Sequence, residues 1–224
     1  MKILGINGSP LGSQSRTLKL VKAVLDGAQG EGAETELVDV CSLDIRYCNG
    51  CAVCYARGEC THDDDFADLY EKMLASDGIV LGSPNYINSV TAQLKTLLDR
   101  MADAIHCQAF SGKYGCAVST AGGSRSDDVV AYLNDVLLTL GATTVGGVDV
   151  VLGENPEEAL APAENRAYEL GKKLARAIRD RTTYPDQEEF HAEMRDRMVR
   201  LVMRNRDRWH HEYEYLREIG HIRE

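Results

Sequence analysis

The chain has 224 residues, 44% hydrophobic and 27% charged, and 35 acidic side chains against 25 basic ones give a net charge of −10. That length predicts one domain with an appendage and a sizeable buried core. The acidic balance argues against nucleic acid, which is met by a basic face, and no apolar run is long enough to span a bilayer.

The first residues, Met1-Lys2-Ile3-Leu4-Gly5, read directly as a strand and not as a signal peptide. The expected compartment is therefore the cytoplasm, where thiols stay reduced and clustered cysteines lean toward metal or catalysis. The first strand covers Met1 to Asn7, and Leu18, Val21, Val24 and Leu25 then recur at helical spacing. Between them lies loop one, Asn7-Gly8-Ser9-Pro10-Leu11-Gly12-Ser13-Gln14-Ser15-Arg16-Thr17. A helix N-terminus offers free N–H groups and a positive dipole end to anions. The hydroxyls of Ser9, Ser13, Ser15 and Thr17 add donors and Arg16 adds charge, so the loop reads as a seat for one phosphate, with a plain capped turn as the bland alternative. Neither a Walker loop nor a G-x-G-x-x-G fingerprint is present.

Thr35 to Val40 alternates as a second strand, and the cysteine segment, residues 47–62, follows. Cys48, Cys51, Cys54 and Cys60 are spaced C-x2-C-x2-C-x5-C. A thiolate every three residues packs a core poorly and binds soft metal well. Zinc sites usually hold two ligand pairs across a longer arm. Ligands at this spacing can instead wrap one face of an iron–sulfur cube, and a fourth can close it. Gly50 and Gly58 give the backbone freedom to do so. On spacing alone a cluster, a zinc site and redox-active thiols all remain open. Cys41, Cys107 and Cys116 are scattered and are expected to be buried as small apolar side chains.

Asp63-Asp64-Asp65 reads as the capping and first-turn acids of a helix carrying Phe66, Leu69 and Met73. Gly78 to Leu81 is a buried strand, and one helix carries Leu94, Leu97, Leu98 and Met101. Between them loop three, with Pro84, Asn85, Tyr86, Ile87 and Asn88, combines a rigid proline, an aromatic ring and amides that could wall a flat ring. Tyr114 to Ser119 is the fourth strand. Loop four, Ser119-Thr120-Ala121-Gly122-Gly123, lets the backbone approach a ligand closely. A helix with Val129, Val130, Leu133 and Leu137, a fifth strand from Thr144 to Leu152, and a helix from Pro156 to about Arg179 complete the unit. Five strands alternating with helices predict a flavodoxin-like α/β fold, a doubly wound five-stranded parallel sheet, over residues 1–181. Residues 182–224 predict a charged helical extension, with Phe190, Met194, Met198, Leu201 and Val202 in one stripe that Trp209, Tyr213, Leu216 and Ile219 continue. Such a narrow stripe needs cover, either from its own domain or, as the sharper expectation, from a neighbouring subunit. His210 and His211 are expected to be exposed.

Loop one, the run Gly82-Ser83-Pro84-Asn85-Tyr86 with Ser89-Val90-Thr91-Ala92-Gln93-Leu94-Lys95 and Asp99-Arg100, and Thr120-Ala121-Gly122-Gly123 resemble the NADPH-dependent FMN reductase family of flavodoxin-like proteins. The cysteine segment is similar to that of its iron–sulfur flavoprotein subgroup. The resemblance implies FMN on the three loops, a [4Fe–4S] cluster on Cys48, Cys51, Cys54 and Cys60, and homodimers or homotetramers that bring the two together. It implies a flavin-dependent oxidoreductase or electron carrier fed by NAD(P)H or a redox partner protein such as ferredoxin and emptied by a small-molecule acceptor. No catalytic side chain is expected, because the cofactors carry the chemistry. Two other classes remain: a cluster-free NAD(P)H-dependent reductase of FMN, quinones or nitro- and azo-aromatics, and a zinc or thiol redox-sensing module.

Overall fold

The computed structural model describes residues 1–222. Five strands, β1 (Lys2–Asn7), β2 (Glu34–Asp39), β3 (Gly78–Pro84), β4 (Tyr114–Ala121) and β5 (Thr143–Val151), form one sheet in the order β2-β1-β3-β4-β5. Every neighbouring pair is parallel, with Ile6 opposite both Val38 and Leu81. Nine helices connect and follow them among the described residues: α1 (Arg16–Gly30), α2 (Val53–Arg57), α3 (Phe66–Leu74), α4 (Ala92–Asp99), α5 (Ala102–Cys107), α6 (Ser126–Thr139), α7 (Pro156–Asp180), α8 (Pro185–Asn205) and α9 (His210–Glu218). None is long and apolar enough to cross a membrane.

Strand side chains alternate between two cores, as the pleat requires. Ile3, Val80, Cys116 and Val118 pack with Leu20, Val24, Leu170 and Leu174 of α1 and α7. Leu4, Ile79, Leu81 and Ala117 pack on the other face with Phe66, Met73, Leu97 and Leu133. On the first face the helices nearly touch. A Cβ on Gly27 would stand 2.0 Å from the Tyr168 carbonyl oxygen, and one on Gly171 would stand 1.9 Å from that of Val24.

Four expectations change. The helix through Met101 is two helices, α4 and α5, interrupted at Arg100 and Met101, which are both buried. The acids before α3 do not cap it in the usual way: Asp65 makes no side-chain cap bond, and Asp64 is committed to a buried ion pair described below. Cys107 and Cys116 are buried, but Cys41 is only half-buried, at the 3-10 turn closing β2. The extension is two helices, not one stripe. Residues 206–209 turn the chain so that Val202, Leu216 and Ile222 close a third, small core with Trp209 and Tyr213. Helix α8 lies against α5 and α6, and α9 lies against α5 and the cysteine segment at α2.

Candidate functional site: an open loop crevice and a covered cysteine segment

In this strand order the chain leaves β1 toward one sheet edge and β3 toward the other, so their carboxyl ends open a crevice. The Gly8 N–H donates to the Gly82 carbonyl at 2.8 Å, closing the floor of that crevice. Thr91 ties loop three to loop one: its hydroxyl donates to the Gly8 carbonyl at 2.6 Å and caps α4 by accepting from Leu94 N–H at 3.3 Å. Loops one and four meet at Thr17 and Thr120, two buried hydroxyls 2.7 Å apart.

Within loop one, Ser9 is buried, with its hydroxyl facing the Leu11 N–H at 3.5 Å. Ser13 is exposed on a 3-10 turn, and Ser15 caps α1 by accepting from Leu18 N–H at 3.0 Å. Arg16 leans away to Glu157, 3.2 Å from its Nε, beside Lys19, so its charge is partly spent. In loop three, Pro84 ends β3, and Asn85 donates to the Ser124 and Arg125 carbonyls at 2.8 and 3.2 Å. Among the described residues its Oδ1 is buried without a partner, as is the Ser119 hydroxyl. Tyr86 and Ser89 bond to each other around a two-residue tip, with Ile87 and Asn88 both at positive φ. Left-handed backbone costs an ordinary residue about 1–2 kcal/mol. Here a β-branched side chain bears it while 99% exposed. Gly122 and Gly123 face open space, with no atom of the described residues within 4 Å of a Cβ placed on either. Ala121, just before them, is buried. Unmatched buried acceptors and donors, a strained exposed tip and an empty glycine cradle therefore surround one crevice. That arrangement fits the ring of a bound flavin.

The cysteine segment lies at the far end of α4. This helix is eight residues, about 12 Å, long. Its cap, Thr91, sits at the crevice, and Arg100 follows its last residue. A cavity of about 330 Å³ beside Arg100 is lined by Cys54, Gly58, Cys60, His62, Tyr70 and Asp103. The loop turns at Gly50, Ala52 and Gly58, all at positive φ. Cys48 and Cys51 are exposed, Cys54 and Cys60 are half-buried, and all four are free thiols. Among the described residues no three His, Cys, Asp or Glu side chains gather as a metal site. The donor set thus fits a soft-metal centre in type, order and adjoining space, while the loop as it stands is not a closed cage.

The surroundings of Cys54 are partly buried and acidic. Burial, reinforced by Asp103, pushes the Cys54 thiol up to about 12. Burial also raises the Asp103 carboxyl. Arg100 and Asp64 are 1% and 0% exposed and form a two-pronged pair at 2.7 and 3.1 Å, with Arg100 also donating to the Arg46 carbonyl and lying over the Phe66 ring. Burial pushes the Asp64 carboxyl up, but Arg100 and the Arg46 and Phe66 N–H groups outweigh it and hold it below its ordinary value. Above the loop, α9 supplies a cover. Trp209 stacks on His106 at 5.0 Å, Tyr55 packs against both rings, and the His211 ring fills the space where a Cβ on Gly58 would lie. His210 is exposed, whereas His211 is half-buried. Sequence reading missed Asp64, His106, Trp209 and Glu212 as neighbours of the cysteines. The one available signal was a lone tryptophan on an otherwise charged tail.

Fold and crevice together define a flavodoxin-like protein built to hold a flavin at a sheet switch point. The chain belongs to the NADPH-dependent FMN reductase family, whose model matches residues 1–157, and within it to the iron–sulfur flavoproteins. It is 35% identical to an iron–sulfur flavoprotein of Archaeoglobus fulgidus across 99% of this chain and 100% of that one. It is 34% identical to one of Methanosarcina thermophila across 78% of this chain and 93% of that one. Among solved structures, an NADH:FMN oxidoreductase in its apo form aligns with TM-score 0.61 at 20% identity, over 83% of this chain and 92% of that one. An FMN-dependent NADH-azoreductase from Bacillus anthracis in complex with FMN aligns at 0.62 and 16%, over 78% and 100%; both likenesses concern the fold. The protein is a flavin-dependent oxidoreductase with FMN as its cofactor.

Proposed function

We propose that the protein transfers electrons between FMN on the three crevice loops and a [4Fe–4S] cluster on Cys48, Cys51, Cys54 and Cys60, with NAD(P)H or a redox protein as donor and a small molecule as acceptor. The observation that carries this reading is α4, which joins the two places over about 12 Å, with Thr91 at one end and Arg100 at the other. When bound, the two groups supply exchange between paired and single electrons.

The chain's own residues prepare both places. Ser9, Ser13, Ser15, Thr17 and the first turn of α1 offer donors to a phosphate, with Arg16 as a nearby charge. Pro84, Asn85, Tyr86, Ile87 and Asn88 wall the ring, while Ser119, Thr120, Ala121, Gly122 and Gly123 meet its edge with hydroxyls and backbone N–H groups. Beside Cys54, α9 covers part of the segment through Trp209 on Tyr55 and His211 on Gly58. A second reading, a cluster-free flavin reductase, is favoured by the dispersed thiols.

Purification without oxygen, absorption spectra, and assays of iron and acid-labile sulfide separate the two. About four irons per chain with FMN supports the relay; a yellow, iron-free protein after anaerobic reconstitution sinks it. Cys54→Ala should then lose the iron and keep the FMN.

A further inference from the structure

The cavity beside Cys54 and Cys60 holds two buried nitrogens without partners among the described residues, Nε of Arg100 and Nε2 of His62. Buried polar atoms are nearly always satisfied, and a lone unsatisfied one points to a group that is missing from its surroundings. Two at one cavity, both beside cysteines, point to the same missing group.

Arg100 is the better defined of the two. Its two terminal nitrogens are taken by Asp64 and the Arg46 carbonyl, and its face lies 4.5 Å from the Phe66 ring centroid. The guanidinium is therefore held in place, and Nε is its one nitrogen without a partner among the described residues. Cys60 stands close enough to interact with it electrostatically, as Asp64 does. Nothing about an ordinary fold-stabilising ion pair requires this placement. A buried pair is weak evidence for stability, since hydrophobic replacements of similar volume are often as good.

We propose that Arg100 is a positioning and potential-setting residue of the cysteine centre: its fixed charge and free Nε–H face the Cys60 side of the site, and Asp64 sets how much of that charge the site feels. This rests on the cluster reading above. Adding an electron to a centre held by four thiolates adds negative charge where charge is already concentrated. Net charge and hydrogen bonds to the sulfurs are the protein's means of setting that potential. A buried cation with an N–H directed there favours the reduced state, and Asp64 offsets part of the effect.

The test is the midpoint potential of anaerobically reconstituted protein, followed by electron paramagnetic resonance, with iron and sulfide content measured on the same samples. Asp64→Asn removes the counter-charge and should shift the midpoint positive. Removing Arg100 alone would strand a buried carboxylate and threaten folding. The paired variant Asp64→Asn/Arg100→Gln avoids this and should shift the midpoint negative while keeping its iron. Opposite signs are the signature, because a merely structural role that let water in would move both variants the same way. Unchanged midpoints, shifts of one sign, or iron lost from either variant while the parent keeps it would overturn the inference. A parent protein without iron would overturn the cluster reading first, and this inference with it.

Discussion

Glu212, fully buried on α9, lies with Oε1 2.9 Å from Nδ1 of His106 on α5. That contact fastens α9 to a helix 106 positions earlier, where α9 also lies against the cysteine segment at α2. Burial raises the Glu212 carboxyl above its ordinary value although His106 opposes the shift. Its second oxygen has no partner among the described residues. Glu212→Ala should cost about 1–3 kcal/mol, because the His106 nitrogen is then buried unpaired. The same change should loosen Trp209 and Tyr55 and let iodoacetamide reach Cys54 several-fold faster in the cofactor-free protein. Unchanged alkylation with lowered stability would mean that α9 braces the fold without covering the cysteines.

Gly123 offers a test of the crevice that leaves the fold alone. No atom stands within 4 Å of a Cβ placed there, and its φ is not positive, so a side chain fits the apoprotein. Gly123→Val should therefore leave denaturation within about 0.5 kcal/mol of the parent. It should also weaken FMN retention at least tenfold, since the branched side chain occupies the space from which backbone N–H groups meet the ligand. Fluorescence titration of the apoprotein with FMN measures it. Equal affinity would place the flavin away from loop four.

The five parallel strands and the three loops at their ends were legible because strand runs, helical spacing and turn residues are local signals. The cysteine motif was legible for the same reason. What surrounds it was not. Asp64 looked like one of three first-turn acids, and only folding reveals Arg100, 36 positions on, as its partner. Arg16 looked like a phosphate ligand, yet Glu157, 141 positions away, holds it. Such pairs carry no periodicity and are set by how helices dock. The turn at 206–209, where the extension folds back, likewise contains neither glycine nor proline to announce it.

Gly171 was another unread signal, a glycine inside the long amphipathic helix α7. Its Cβ would stand 1.9 Å from the Val24 carbonyl oxygen, a backbone atom that cannot step aside. Helix propensity favours alanine there by about 1 kcal/mol. Overpacking opposes it by typically 1–3 kcal/mol and by more when two backbones must part. The clash wins, so Gly171→Ala should lower the denaturation midpoint clearly, while Gly122→Ala, which meets nothing, should not. Equal midpoints would mean that α1 and α7 can separate at no cost.

His191, on α8, is held below its ordinary value of 6.5 mainly by burial, with Arg195 adding repulsion. His221 is lowered by the same two causes. Both line the extension's contacts: His191 borders a cavity of about 740 Å³ at the amino ends of the strands, and His221 borders a smaller one beside Arg195. A histidine whose folded value is depressed binds its proton more readily when unfolded. Well above pH 6.5 both states are neutral there and stability does not depend on these groups. As the pH falls below 6.5 the unfolded chain takes up protons first, and stability is lost until the folded value is reached. Urea denaturation between pH 7.5 and 5 should show this decline, and His191→Gln should reduce its slope by part of a proton. Burial raises the Glu212 and Asp103 carboxyls toward this window, so the histidine contribution is read from variant against parent and not from the parent's slope alone. A parent and variant with the same slope from pH 7 to 5.5 would place His191 in water, with α8 undocked from α6 in solution.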